Sequence, residues 1–516
     1  MSGIVAGIIP ATGYRSYYTT ITTVVEMGRR RVLGGSAAAA AVAAVALLPE
    51  RLQRVAVTPT GHSVADVEHV VLMMMENRSF DHYFGAMPGV RGFGDPRPQR
   101  LPGSSRTVFQ QPLPAHPDGY VMPFHLDSSR TSAQAIRSLN HSWEAEHGYW
   151  ANGRMDGFLT YEARRSVLST LGHPGPVPER REYAMGYFTR DDVPFHHGLA
   201  ENFTICDNYF CSVMGSTWPN RLMWMTGTMD PEGRAGGPVY DTGDASAEAG
   251  RLNWTTYPER LERAGVSWRA YDEERGTGLN PLEEFRQFRT ATTGSPLARK
   301  GLGGGGPGEF ERDVAAGRLP TVSWVFPRAS ESEHPMYRPA DGAAAIARKL
   351  GALAAHPEVW AKTVFILNYD ENDGLFDHVS PPVPPVGTPD EYADGEHVGP
   401  GFRVPCLVIS PWSTGGWVSS ELLDHTSILR FLEHVTGVQE PNISAWRRST
   451  FGDLRSTLAL DAPPRTSPNP LTRLPDAAGI ARRVDDDLLS RRLADPQVPE
   501  PQRMPLVPAA PRPRFV

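Results

Sequence analysis

Cysteine is almost missing. Cys206, Cys211 and Cys406 are the only three in 516 residues. Their spacing fits no zinc-ligand pattern, and three thiols cannot build a disulfide framework. A bridge from Cys206 to Cys211 is open to the chain in an oxidising compartment, with one thiol left over. Basic charge in excess is lacking too. A formal net charge of −7 leaves no electrostatic footprint for nucleic acid and no basic attraction to an anionic membrane. Internal repeats are absent. The glycine-rich stretch 301–310, GLGGGGPGEF, is followed by no Lys-Ser/Thr, which removes the phosphate-loop reading and leaves a flexible connection. His141 and His147 are not one helical turn apart, so the helical zinc pairing is excluded as well.

What is abundant is length, glycine and proline. The chain is long enough for one large α/β domain or two ordinary ones, and 50 Gly with 48 Pro predict long, loop-rich connections. Residues 27–49, MGRRRVLGGSAAAAAVAAVALLP, read as a targeting segment. Arg29-Arg30-Arg31 precede an alanine-rich run too short and too weakly apolar to span a membrane. Paired arginines before a mild apolar region resemble a twin-arginine export signal. Residues 1–26 fit no signal peptide, so the expected start is Met27, with the twin-arginine machinery as a partner and a secreted or cell-envelope destination. From residue 461 to 516 a Pro- and Arg-rich composition predicts an extended tail with one short helical stretch near 479–494. Residues 65–460 between them read as the folded domain.

The stretch Glu68–Gly85, EHVVLMMMENRSFDHYFG, organises that domain. Val70 to Met75 form an unbroken apolar run, the pattern of a strand buried on both faces of a parallel sheet. It stops at Glu76-Asn77-Arg78-Ser79, where a strand leaves the sheet and where ligands bind in open α/β folds. A second apolar run, Thr363 to Asn368, ends in Tyr369-Asp370-Glu371-Asn372-Asp373. If the two strands are parallel neighbours, Glu76, Asn77, Asp370 and Glu371 converge at one edge. Carboxylates so crowded repel one another unless a cation neutralises them. An all-oxygen set favours Ca²⁺, Mg²⁺ or Mn²⁺, while nearby histidines keep Zn²⁺ open.

Three further blocks supply candidate chemistry. LNHSWEAEHGYW, residues 139–150, offers His141. GSTWPNRLMWMTG, residues 215–227, reads as a loop feeding a helix, with Thr217 as N-cap and Pro219 in the first turn. A hydroxyl there has its alkoxide stabilised by the helix dipole and free backbone N–H groups, so Thr217 is the candidate nucleophile and Ser216 the reserve. His334 follows the strand Thr321–Phe326, and Asp377-His378 follow the second acidic stretch. Asp341 to Ala355 is an amphipathic helix with Asp341 as its cap, and VPCLVIS, residues 404–410, is a last core strand.

ENRSFDHYFG resembles the signature of the phosphoesterase family that holds phospholipases C and certain acid phosphatases, within the alkaline-phosphatase-like superfamily. The HSW, GSTWPNR and SEHP blocks extend the resemblance from about Val67 to Leu454, and the 185–228 block is most similar to actinobacterial phospholipases C. The resemblance implies an α/β fold with a central, largely parallel sheet flanked by helices. It implies a metal-dependent enzyme acting through a phospho-threonine intermediate on Thr217. His334, His378 and His141 would be catalytic, and Asn77, His141, Asn220 and Arg221 would contact phosphate. Glu76, Asn77, Asp370 and Glu371 would hold the metal. Thr217-Trp218-Pro219-Asn220-Arg221 has the T-x-P-x-R shape of the related sulfatases, but threonine cannot become their aldehyde nucleophile, which argues against a sulfatase. The expected activity is hydrolysis of phosphatidylcholine-like phospholipids, at a membrane surface, to diacylglycerol and a phosphorylated head group. The alternatives are an acid phosphatase acting on soluble monoesters and a non-catalytic exported binding protein.

Overall fold

The computed structural model describes residues 61–161, 180–244, 250–303, 305–460, 474–490 and 493–515. The expected targeting segment 27–49, residues 1–26 and part of the tail lie outside them. A seven-stranded sheet forms the centre. In chain order its strands are β1 (His69–Met75), β2 (Thr204–Cys206), β3 (Trp268–Asp272), β4 (Val322–Phe326), β5 (Thr363–Tyr369), β6 (Cys406–Ile409) and β7 (Val418–Ser419). They lie side by side as β7-β2-β6-β5-β1-β4-β3.

The two apolar runs are the middle of this sheet. β1 pairs in parallel with β4 on one side and β5 on the other. Every residue of β1 after His69, and every residue of β5, is buried. Each large apolar side chain so covered contributes about 1.5–3 kcal/mol, which is why neither run shows a polar face. The register sets Met75 opposite Tyr369, so the residues that follow, Glu76 and Asp370, leave the sheet side by side.

One strand is shorter than the sequence suggests: residues 404–410 contain only the four residues of β6. β6 runs antiparallel to both of its neighbours, so the sheet is largely but not wholly parallel. Cys206 and Cys406 fall directly across the β2–β6 ladder from each other. The expected option of a Cys206–Cys211 bridge is not taken, since all three thiols are free and buried.

Helices cover both faces, and seven matter for the site and its surroundings. They are α1 (Phe80–Phe84), α2 (Trp143–Trp150), α3 (Pro194–Asn202), α4 (Thr217–Thr226), α5 (Pro339–Ala354), α6 (His425–Thr436) and α7 (Ala477–Ser490). α6 starts at Asp424, whose carboxylate accepts from the Thr426 and Ser427 amides, and ends at Gly437 with φ 73°, as N-cap and αL C-cap chemistry requires. Asp341 is not the cap of α5. Pro339 tolerates a first-turn position without an N–H, so the helix begins earlier, with Arg338 as N-cap and Asp341 inside the first turn. The tail packs back onto the body: Ser132 N donates to Ala494 O, and Val418 N to Pro513 O. Among the described residues no helix is long and apolar enough to cross a membrane.

Candidate active site

The carboxyl ends of β1 and β5 build a buried acidic pocket. Glu76 is 5 % exposed, and Asn77, Asp370, Glu371 and Asp373 are wholly buried. Asn77 N donates to Asp370 Oδ1 at 3.1 Å, and Asn77 Nδ2 to Asp373 Oδ1 at 3.3 Å. Asp373 N donates to Glu371 Oε2. Burial pushes the Glu76 carboxyl up to about 7, with Asp370 adding to the rise and Arg221 opposing it. Burial likewise raises Asp370, and raises Glu371 well above the usual carboxylate range, where Asp370 and Asp373 add their repulsion.

Two acceptors in this pocket accept no hydrogen bond from the described residues: Asn77 Oδ1 and Glu371 Oε1. A buried oxygen without a donor costs about 1–3 kcal/mol, and neighbouring carboxylates that cannot all ionise together add to it. A hard divalent cation removes both penalties at once, and carboxylate and amide oxygens are its preferred donors. The residues present therefore fit such an ion.

A second group adjoins the first. His141 Nδ1 lies 3.3 Å from Asp373 Oδ1 and its Nε2 3.7 Å from Glu371 Oε1. His334 Nε2 lies 3.9 Å from Asp373 Oδ1. The two imidazole rings stand edge to face at 6.0 Å, and ligand atoms of His141, His334 and Asp373 all fall within 4.8 Å of one another. Burial works against a charge on His141, yet Glu371 and Asp373 outweigh it and hold its pKa well above the ordinary imidazole value.

His334 is carried here by a loop anchored at its base. Glu76 N donates to Ser332 O at 2.7 Å and Arg78 Nε to Glu333 O at 2.7 Å. Glu333, read from sequence only as part of a polar cluster, is fully buried. It accepts from Tyr83 Oη at 2.6 Å, Tyr369 Oη at 2.7 Å and His196 Nε2 at 2.9 Å. Its φ of 70° turns the chain so that Glu333 points inward and His334 lies by the acidic pocket.

α4 brings the hydroxyl. Ser216, not Thr217, holds the N-cap position, and its side chain makes no capping bond; Ser216 Oγ instead accepts from Thr242 N at 2.7 Å. Thr217 is the first helical residue and is 4 % exposed. One turn on, on the same helix face, Arg221 Nε donates to Asp370 Oδ2 at 3.0 Å. The helix is thus pinned to the acidic pocket by Arg221, one turn after Thr217.

Three of the expected site residues do other work. Asn220 turns back on its own loop: its Oδ1 accepts from Val213 N at 2.8 Å, and its Nδ2 donates to the carbonyls of Val213, Gly215 and Ser216. It shapes the approach to α4 rather than reaching for phosphate. Arg221 is fully buried and bonds Asp370, Leu279 O and Met75 O, so it neutralises and orients Asp370. His378 belongs to a different cluster. Its Nδ1 lies 2.6 Å from Asp81 Oδ2, Asp377 and Asp81 both pair with Arg403, and none of the bonds of His378 reach the acidic pocket.

Two residues at the site went unassigned from sequence. Asp373 ties the histidines to the carboxylates; its place in the Asp370–Asp373 run was the available signal. Glu146 sits on α2, 1 % exposed, and burial pushes it up to about 8 with His141 its strongest opposing neighbour. A glutamate in an amphipathic-looking segment carries no mark of that burial.

The Phosphoesterase family model matches residues 67–439. A non-hemolytic phospholipase C of Pseudomonas aeruginosa is 41 % identical over 490 residues, covering 90 % of this chain and 67 % of its own length. The non-hemolytic phospholipase C of Burkholderia pseudomallei is 40 % identical over 486 residues, covering 85 % and 65 %. Phospholipase C B of Mycobacterium tuberculosis is 40 % identical over 486 residues, covering 87 % of this chain and 89 % of its own. The chain therefore spans about two thirds of the first two relatives and most of the third. Among solved structures, a murine ectonucleotide pyrophosphatase/phosphodiesterase overlaps 50 % of this chain and 95 % of its own at 13 % identity, with a TM-score of 0.32, a likeness too loose to bear weight.

Proposed function

Because this chain belongs to the phosphoesterase family, we propose that it is a metal-dependent phospholipase C that cleaves phosphatidylcholine-like lipids to diacylglycerol and a phosphorylated head group. The observation that carries this reading is the buried acidic pocket with its two orphaned oxygens, closed on one side by the helix that begins at Thr217. The relatives named phospholipase C support the diester as substrate.

Glu76, Asn77, Asp370 and Glu371 would hold the cation, beside Asp373, His141 and His334. When bound, a divalent ion supplies charge that lowers the pKa of a nearby hydroxyl and neutralises phosphate oxygens. Thr217 Oγ1 gives up its proton to solvent and attacks phosphorus from the start of α4, where the helix dipole favours negative charge. The P–O bond to the diacylglycerol oxygen breaks, and His334 delivers the proton that this alkoxide needs. His141, beside Glu371 and Asp373, stabilises the non-bridging oxygens through its imidazole N–H. Water then hydrolyses the phospho-threonine and returns the hydroxyl.

The test is a substrate panel on purified, metal-replete protein. Phosphatidylcholine vesicles should release diacylglycerol, with a higher kcat/KM than p-nitrophenyl phosphate. Efficient cleavage of the monoester with vesicles left intact would move the assignment to an acid phosphatase. Export by the twin-arginine route, with a secreted or envelope-bound product, completes the proposal and rests on Arg29-Arg30-Arg31 and the apolar run behind them.

A further inference from the structure

A cleft of about 390 Å³ opens along one side of α2. Its walls include Trp143, Glu144, His147, Trp150, Tyr161 and Glu396. Trp143, His147 and Trp150 fall at i, i+4 and i+7 and so share one helix face, a run of about 10 Å. Behind them the rings form a continuous file. Tyr240 meets Trp143 at 5.1 Å, Trp143 meets His147 at 4.3 Å, His147 meets His397 at 5.0 Å, and His397 meets Trp150 at 4.6 Å.

The inner end of this cleft abuts the reaction centre. Trp143 stands two residues beyond His141, and its N–H donates to Asp241 Oδ1 at 2.8 Å. The next residue, Thr242, donates its N–H to Ser216 Oγ at 2.7 Å, so the 241–242 pair links the cleft to the start of α4. The aromatic wall therefore begins beside the residues that lead into both His141 and α4.

The charge at the rim is negative. Glu396 is exposed, and Glu144 is half-buried, accepting from Tyr161 Oη at 3.2 Å. Arg154, the arginine among the lining residues, pairs with Asp156 at 3.3 Å. An acyl chain would gain nothing from the two glutamates and would desolvate them at a cost. An anionic head group finds repulsion from the two glutamates. A methylated ammonium gains from both features, since its positive charge is attracted to ring faces and carboxylates and its methyl groups make no demand for hydrogen bonds. Resting on the phospholipase reading, we propose that this cleft is the head-group subsite, and that it selects quaternary ammonium through Trp143, Trp150 and Glu396.

The probe is choline chloride, followed by saturation-transfer NMR on its methyl protons against the full-length, metal-loaded protein at constant ionic strength. Transfer should be seen with the wild type and with Trp150→Phe, and should drop in Trp150→Leu and in Glu396→Gln. Glu396 is exposed, so that variant keeps the fold. In parallel, the ratio of kcat/KM for phosphatidylcholine over phosphatidylglycerol in mixed micelles should fall about tenfold in Trp150→Leu, the scale of one desolvated cation–π contact. No transfer to choline with the wild type, or transfer and substrate ratio unchanged in both variants, overturns the subsite. Choline binding that depends on Trp150 and Glu396 in a protein that cleaves no phospholipid leaves the subsite standing and removes the phospholipase reading instead.

Discussion

Glu371 and Asp370 are adjacent, both wholly buried, and their neutral variants should behave in opposite ways. Asp370 pairs with Arg221 at 3.0 Å with neither side chain exposed. Asp370→Asn therefore strands a buried guanidinium, which costs about 3–5 kcal/mol, and the metal-free protein should melt well below the wild type. Glu371 has no such partner. Its nearest cationic group, His141 Nε2, is 3.7 Å away, and one of its oxygens accepts no hydrogen bond. Glu371→Gln should leave metal-free stability at pH 8 equal to or above that of the wild type. What it removes is a cation ligand. A bound ion at one hundred times its Kd stabilises by about 2.7 kcal/mol. For roughly 400 ordered residues, with an unfolding entropy near 0.8 kcal/mol/K, that raises Tm by about 3 °C. Calorimetric melts with and without Ca²⁺, Mg²⁺, Mn²⁺ or Zn²⁺ measure both quantities. A full cation-induced rise retained in Glu371→Gln, or a metal-free Asp370→Asn protein as stable as the wild type, would refute the placement of the ion and the salt bridge respectively.

Other outcomes follow from the same geometry. Thr217→Ala should abolish turnover at little cost in stability, because Ser216 holds the cap position; wild-type turnover in Thr217→Ala together with its loss in Ser216→Ala moves the nucleophile to Ser216. Glu76 keeps a proton in the fold up to about pH 7, whereas its reference pKa is 4.5. Metal-free stability should therefore decline as pH rises from 4.5 to 7, and denaturant titrations of Glu76→Gln should show a shallower decline. Asp192 lies on the opposite side of that sign rule. Burial raises it, but bonds from His125, Ser128 and Thr189 prevail and hold it at about 2 against 3.8. Its stabilisation is complete above pH 3.8 and is lost as pH falls through 2, so Asp192→Asn should cost about 2 kcal/mol at pH 7 and much less at pH 2. Replacing Arg29 and Arg30 by lysine should retain the protein in the cytoplasm, read by fractionation; normal export with Arg31 replaced as well removes the twin-arginine assignment.

The acidic pocket was legible in the sequence because both of its halves end strands. An apolar run that stops at Glu-Asn, and another that stops at Asp-Glu, need only parallel pairing to converge, and the register of Met75 with Tyr369 provides it. Arg221, Asn220 and His378 were not legible in the same way. Each is a polar residue in a suggestive motif; Asn220 is taken up by its own loop, while for Arg221 and His378 what separates a ligand from a strut is a partner far away in the chain. Asp370 lies 149 residues from Arg221, and Asp81 lies 297 from His378. Helix position says that Arg221 shares a face with Thr217, but not that the face is already taken by a carboxylate. The cap of α4 was misplaced by one residue for a local reason. Ser216 and Thr217 are both good caps by type, and the choice turns on Thr242, which donates to the serine.

Backbone strain adds a signal that no residue type announces. Asn77, Glu333 and Asp373 have φ of 49°, 70° and 59°, left-handed values that cost a non-glycine residue about 1–3 kcal/mol when held in place. One follows β1, one follows β4 and one follows β5, the three adjacent strands at the middle of the sheet. Each is held by bonds to the others' surroundings: Asn77 to Asp370 and Asp373, Asp373 to Ser138 and Leu139, Glu333 to two tyrosines and a histidine. Strain shared by three neighbouring strand ends is hard to explain as packing, since an ordinary strand exit is satisfied by glycine or an unstrained turn. It is explained if the strand ends must present their oxygens inward, at close quarters, to something positively charged.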